Sequence, residues 1–377
     1  MDNLPKLLFK SIEDKTIVWL SNRNEYLVLQ NEAAAILEQL QQKKPIENIA
    51  EQVAIKLDTP LDDTKNFITR LKEDTLTDHK NKEQIEEVSQ EVLPKHFQFE
   101  KYYKINNLVF KVAFDNELEL SYVHPKFAHL VVEKTENINC TFSVFTKGSN
   151  IYFYVDQAFI GGWTKEEIHF FQGKFSMELI QKIHGFKKNE WLGIFHASAV
   201  SNGKKALLFL GDSGNGKSTS LSLLQAHGFT CLADDFVPVN AKNQNVYSFP
   251  AAISIKKTSV PVLLPLYPEL ETSAEYHFKR LNKVVRYVKP NNSNYSSFLP
   301  CKSLIFIKYE KDSEIQVNKI SKLTGFEQLV PDSWLSPEIN NSRIFLDWFA
   351  NLECYQITYS NNKKMIDTVT KLFADEL

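Results

Sequence analysis

A chain of 377 residues is long for one hydrophobic core, so two or three domains are expected. Its 44 Lys and Arg against 46 Asp and Glu give a net charge of −2, which excludes the basic footprint of a DNA- or RNA-binding protein. The four cysteines, Cys140, Cys231, Cys301 and Cys354, form no CxxC pair, so neither a zinc site nor a disulfide framework is expected. No stretch is apolar over the roughly 20 residues a membrane helix needs. The N-terminal MDNLPKLLFKSIEDK lacks the apolar core of a signal peptide. A cytoplasmic protein without nucleic-acid or membrane partners fits these features.

Residues 1–77 read as a small unit. Thr16–Leu20 and Tyr26–Leu29 have the character of two strands joined by the polar turn 21–25. Asn31 is placed to cap a helix carrying Ala34, Ile36, Leu37 and Leu40. Pro45 opens a second helix, whose apolar Ile46, Ile49, Ala50, Val53, Ala54 and Leu57 keep helical spacing. Thr59 and Pro60 open a third, with Phe67, Ile68 and Leu71 on its inner face. The order ββααα suggests a winged-helix-like module. Residues 78–95, DHKNKEQIEEVSQEVLPK, are polar and acidic and read as a linker.

From 96 to 200 the pattern alternates as in strands, for example at 108–114, 118–123 and 151–155, followed by a helical stretch over 165–183. An antiparallel layer is expected there. Residues 201–377 change character. Ala206–Leu210 is a short apolar strand that runs into GDSGNGKST and then a helix closed by Gly228. Thr230–Ala233 is a second strand, ending in Asp234–Asp235. Further strands are expected at 252–256, 303–309, 315–320 and 354–358, and a last helix at 364–373. Strands mixed with helices around a strand–loop–helix unit predict an α/β core.

The run Gly211-Asp212-Ser213-Gly214-Asn215-Gly216-Lys217-Ser218 matches the phosphate-binding pattern G-x-x-x-x-G-K-S/T. Glycines let successive N–H groups converge on one phosphate chain without a Cβ in the way. The helix that follows adds its positive N-terminal end. Lys217 would reach the β- and γ-phosphates, Ser218 would place its hydroxyl on Mg²⁺, and Thr219 completes the segment.

Asp234 and Asp235 fall 17 and 18 residues after Lys217, room for one helix and one returning strand. If that strand lies beside Ala206–Leu210, both carboxylates reach the sheet edge where ligands of open α/β sheets bind. One can serve Mg²⁺ and the other can take a proton from an attacking hydroxyl. His196 opens the HASAV run ahead of the loop and is a candidate for a phosphate or proton-relay role. Lys256 and Arg280, from a basic set that includes Lys257, Lys279 and Arg286, are candidates for a cation near the moving phosphate.

The run HASAVSNGKKALLFLGDSGNGKSTSLSLLQAHGFTCLADDFVPV resembles the C-terminal domain of the HPr serine kinase/phosphorylase family, whose fold is akin to phosphoenolpyruvate carboxykinase. That family has a His before the loop and an Asp pair after it, matched here by His196 and Asp234–Asp235. The resemblance covers roughly residues 190–260. It implies that Asp234 assists the hydroxyl nucleophile and that Ser218 and Asp235 serve Mg²⁺. It also allows a homo-oligomer. The family's glycine-rich signature after the Asp pair is missing; the corresponding run reads SFPAAISIKKTS, which argues against HPr as the substrate. Residues 1–77 resemble PqqD-type modules, which bind leader peptides of ribosomally made peptides.

Together these readings imply an α/β (α+β) P-loop kinase domain over 96–377 behind a PqqD-like module. Its expected catalytic residues are Asp234, His196 and Lys217, and its cofactors ATP and Mg²⁺. The acceptor would be a Ser/Thr hydroxyl of a peptide or small protein, such as a natural-product precursor. The alternative is an ATP-responsive peptide chaperone that transfers no phosphate; the presence of both aspartates favours the kinase. A carboxykinase-like small-molecule enzyme would have no use for a peptide-binding module.

Overall fold

The computed structural model describes residues 4–77, 88–278 and 283–377. The chain forms two compact units, Met1–Gln84 with Ser321–Asn351, and Ile85–Ile320 with Leu352–Leu377. Among the described residues no helix is long and apolar enough to cross a membrane.

The first unit has three strands rather than the expected two. Leu7–Ile12, Lys15–Leu20 and Glu25–Gln30 form an antiparallel sheet in that order. The extra strand escaped the sequence reading because only its ends, Leu7 and Ile12, are buried, so LLFKSI lacks a two-residue rhythm. Helices Asn31–Gln41, Ile46–Leu57 and Leu61–Leu76 follow. Asn31 does not cap the first of them. Its side chain instead accepts from Thr16 Oγ1 (2.8 Å) and donates to the Asp14 carbonyl (3.1 Å), tying the helix start to the preceding strands. Likewise Pro60 occupies the cap position of the third helix, and Thr59 pairs its hydroxyl with Thr64 at 2.9 Å. Leu20, Leu37, Ile49 and Ile68 are fully buried between sheet and helices.

Residues 321–351 belong to this unit, although the sequence placed them in the C-terminal domain. Helices Lys322–Leu329 and Ile339–Asn351 carry Phe326 and Phe345 to the ring of Tyr26, with centroids 5.9 and 5.4 Å apart in edge-on geometry. Lys10 pairs with Asp347 at 2.6 Å, and Asn24 donates to the Leu335 carbonyl at 2.9 Å. Phe345 is 1% exposed, so Phe345→Ala leaves a cavity against Tyr26 and Phe326. The expected cost is about 3–5 kcal/mol, read as a lower urea midpoint.

The second unit opens with a mixed sheet in the order Val131–Val132, Phe99–Ile105, Leu108–Phe114, Cys140–Lys147, Asn150–Val155, Ala158–Thr164. It is not wholly antiparallel, since Leu108–Phe114 and Cys140–Lys147 run parallel. The crossover between them contains helix Glu117–Phe127, where alternation had suggested a strand at 118–123. A capping box decides the matter. Asn116 accepts from the backbone of Glu119 at 3.2 Å, and Glu119 accepts from the backbone of Asn116 at 3.2 Å. Helix Ile168–His184 lays Phe171 and Phe175 on Phe153. The part of the expected linker that is described, from Val88 on, packs on this sheet, with Val88 and Leu93 against Tyr152 and Tyr154, and Phe97 just beyond it does the same. The rest, 78–87, lies outside the described residues.

The central sheet of this unit holds three parallel neighbours, Ala206–Leu210, Phe298–Tyr309 and Glu353–Tyr359. Such strands are buried on both faces, which is why ALLFL is apolar throughout. Ser198–Ser201 and then Thr230–Asp234 extend the sheet beyond Ala206–Leu210, each antiparallel to its neighbour. Thr230–Asp234 is thus parallel to Ala206–Leu210 but not beside it, contrary to the simplest expectation. Its end still reaches the same sheet edge. Helices Lys217–Ala226 and Asn362–Phe373 cover one face through Leu221, Leu224, Met365 and Val369. A small sheet, Ile253–Lys256 with Lys283–Val288 and Tyr276–Phe278, closes over that end.

Candidate phosphate-binding site

The glycine loop joins the C-terminal end of Ala206–Leu210 to helix Lys217–Ala226. Gly211, Gly214 and Gly216 have φ of +132°, +110° and +97°, a region open mainly to glycine. Space is restricted as well. A Cβ on Gly211 would come within 2.9 Å of the Ile307 carbonyl, and one on Gly216 within 3.2 Å of the Tyr359 hydroxyl. The Asn215 carbonyl accepts from Tyr309 N–H at 3.0 Å and pins the loop to the sheet. Gly211→Ala is therefore expected to cost roughly 1–3 kcal/mol of stability, read by thermal melting.

Lys217 is buried at the helix start, and its ammonium donates to the Gly211 carbonyl. Ser218 Oγ lies 3.1 and 3.0 Å from the two carboxylate oxygens of Asp234. Asp234 also accepts from Ser198 Oγ at 2.6 Å and Ser254 N–H at 3.1 Å. It is 2% exposed. Burial, and then the charge of Asp235, push its carboxyl up to about 7, against the pull of these three donors. Thr219 is turned aside, donating to Ser259 Oγ at 2.9 Å.

Asp235 differs sharply from its neighbour. It is half-buried, has φ +62°, and lines a cavity of about 690 Å³ together with His196, Asp212, Ser213, Lys217, Ser218 and Lys256. The strand register explains the placement. Ser198 lies opposite Asp234, and Phe195 opposite Val237. Pairing lapses between these two pairs, at His196–Ala197 on one segment and Asp235–Phe236 on the other. His196 is exposed there, between strands Trp191–Phe195 and Ser198–Ser201. The sequence expectation paired Ser218 with Asp235; in the structure the Ser218 hydroxyl meets Asp234.

The sequence reading passed over Ser198 and Ser254, although both stand at alternate positions of apolar strands beside named candidates, a signal that was available. Of the basic candidates, Lys256 and Lys257 both line the cavity, whereas Arg286 is engaged by Glu275 at 3.1 Å and the Glu271 carbonyl at 2.8 Å. Lys279 and Arg280 lie outside the described residues. A larger cavity, about 820 Å³, opens beside His129 and Lys289 at the far end of the helix and is lined by none of the loop or aspartate residues. Among the described residues no group of three or more His, Cys, Asp or Glu is arranged to hold a metal by itself. A cation at Ser218 and Asp234 would thus need oxygens from a bound ligand, as Mg²⁺ does when it binds with phosphates.

No protein-family model matches the chain, and no curated protein matches it. Among solved structures it is similar to the HPr(Ser) kinase/phosphatase from Coxiella burnetii, at 10% sequence identity and a TM-score of 0.21, covering 48% of this chain and 94% of that one. At that score the likeness carries no weight for fold or function.

Proposed function

We propose that the second unit is an ATP- and Mg²⁺-dependent phosphotransferase acting on a hydroxyl of a peptide or small protein, such as a ribosomally made natural-product precursor. One observation carries the reading. Beneath a loop whose three glycines all sit at positive φ, the Ser218 hydroxyl rests on a buried carboxylate while a second carboxylate lines the open cavity.

The loop amides and Lys217 would hold the phosphates, and Ser218 with Asp234 would hold Mg²⁺. When bound, ATP supplies the transferable phosphoryl group and Mg²⁺ offsets its charge. The chain's own residues then divide the remaining work. Asp234 keeps the Ser218 hydroxyl oriented by accepting its hydrogen. Asp235 accepts the proton that the acceptor hydroxyl loses as its oxygen attacks phosphorus. His196, which lines the same cavity, supports that transfer. This division reverses the one implied by the resemblance, and it follows from which aspartate is sealed and which is accessible. In the first unit, among the described residues, Glu25–Gln30 pairs on one side only, with Lys15–Leu20. Such an edge suits an added peptide strand, which would raise the local concentration of a tethered acceptor.

The test is intact mass after incubation with Mg²⁺-ATP and candidate precursor peptides. One added phosphate per acceptor, dependent on Lys217, is the expected result. ATP binding without addition to any peptide would instead support the nucleotide-responsive peptide chaperone.

A further inference from the structure

We infer that Lys256 is a second catalytic cation, carried on the strand wall of the cavity, that acts on the phosphoryl group in flight. The inference rests on the phosphotransferase reading above.

Strand Ile253–Lys256 reads ISIK, and its alternation separates two tasks. Ile253 and Ile255 enter the hydrophobic core. Ser254 and Lys256 therefore share the opposite face, and both line the cavity. The strand is fixed on both flanks. Pairing with Lys283–Val288 sets its register, and Ser254 N–H donates to Asp234 at 3.1 Å. Lys256 thus stands two residues from a backbone group that touches the buried carboxylate, on a rigid element rather than a loop.

Its ammonium reaches across the cavity to the phosphate loop. Nζ donates to Ser213 Oγ at 3.0 Å and lies 3.8 Å from where a Cβ on Gly214 would stand. The ammonium thus meets the loop at Ser213–Gly214, whereas that of Lys217 meets it at the Gly211 carbonyl. Lys257 next to it pairs with Glu275 at 3.4 Å. At that position an anionic phosphate oxygen would be a stronger acceptor for the ammonium than a neutral hydroxyl.

During transfer the acceptor oxygen bonds to phosphorus, the bond from phosphorus to the bridging oxygen breaks, and that electron pair leaves on ADP. Charge in flight is spread over the three equatorial oxygens. Lys217 approaches them from the loop and Lys256 from the strand. Lys256 neither gives nor takes a proton in this scheme. Its contribution is greatest when that charge is in flight, so it acts mainly on the transition state.

The experiment needs no acceptor. Affinity is measured for ADP–Mg²⁺ alone and for ADP–Mg²⁺ with aluminium fluoride, which mimics the phosphoryl group in flight. Lys256→Met is expected to weaken the aluminium fluoride complex by roughly 10²–10³-fold while changing ADP–Mg²⁺ affinity by less than about threefold. Lys256→Arg should recover most of the loss. Lys242→Met, the same charge change at an exposed position that does not line the cavity, should leave both affinities within about twofold. If Lys256→Met binds both complexes as the unmodified protein does, or loses both equally, the inference is overturned and the phosphotransferase reading stands. If the unmodified protein binds no ADP–Mg²⁺, both fall together.

Discussion

Asp235→Asn is expected to slow phosphate transfer by about 10²–10⁴-fold while leaving Mg²⁺-ATP affinity close to that of the unmodified protein. Asp235 lines the cavity, and the Ser218 hydroxyl that would meet the metal rests on Asp234 instead. Removing its charge takes away the proton acceptor and spares the metal side. Asparagine is the right replacement, because Asp235 sits at φ +62°, a region that Asn tolerates better than other side chains with a Cβ. The backbone that aims the next residues is therefore kept. Single-turnover transfer beside nucleotide titration separates the two effects. Lost Mg²⁺-ATP affinity in Asp235→Asn, with affinity retained in Asp234→Asn, would restore the division of roles first expected from the resemblance.

Much of this site could be read from residues close in sequence. The loop and the helix behind it lie in one run, and the buried strand Ala206–Leu210 announces itself by being apolar at every position. Helix ends were harder. Asn31 looked like a cap but serves the neighbouring strands, a choice made by Thr16 and Asp14, fifteen and seventeen residues away. The strand suggested at 118–123 gave way to a helix because two hydrogen bonds of a capping box outweigh a short alternation.

What the sequence could not convey was long-range order. Nothing in residues 321–351 indicates that Phe326 and Phe345 pack on Tyr26, some three hundred residues earlier. Nor does the Asp-Asp dipeptide say which carboxylate is sealed. That depends on Ser198, Ser218 and Ser254 arriving from three separate elements, and on the left-handed backbone at Asp235, just past the strand end.

Asp234→Asn should abolish Mg²⁺-dependent nucleotide binding yet stabilise the metal-free protein. The carboxyl is pushed up to about 7 by burial and by Asp235, from an ordinary value of 3.8. A carboxyl raised on folding binds its proton more tightly in the folded chain. Its stabilising effect is whole below the unfolded value and is lost as pH rises through the folded one. Above about pH 7 the metal-free protein therefore carries a buried charge that opposes folding by an amount of order a few kcal/mol. Asparagine removes that charge and keeps the bonds. Its carbonyl accepts from Ser254 N–H, and its amide donates to the hydroxyl oxygens of Ser198 and Ser218, which can rotate to receive it. Thermal melts with a chelator should show almost no difference between the two proteins near pH 3, below the unfolded value, and a partial one by pH 5. By pH 8 the variant should melt higher, by roughly 2–4 °C for each kcal/mol of relieved strain. Added Mg²⁺ and ATP should then raise the melting temperature of the unmodified protein alone, because only a charged Asp234 lets Ser218 and the phosphates share a cation. A variant that melted lower than the unmodified protein at pH 8 would show that the three donors outweigh the burial of the charge.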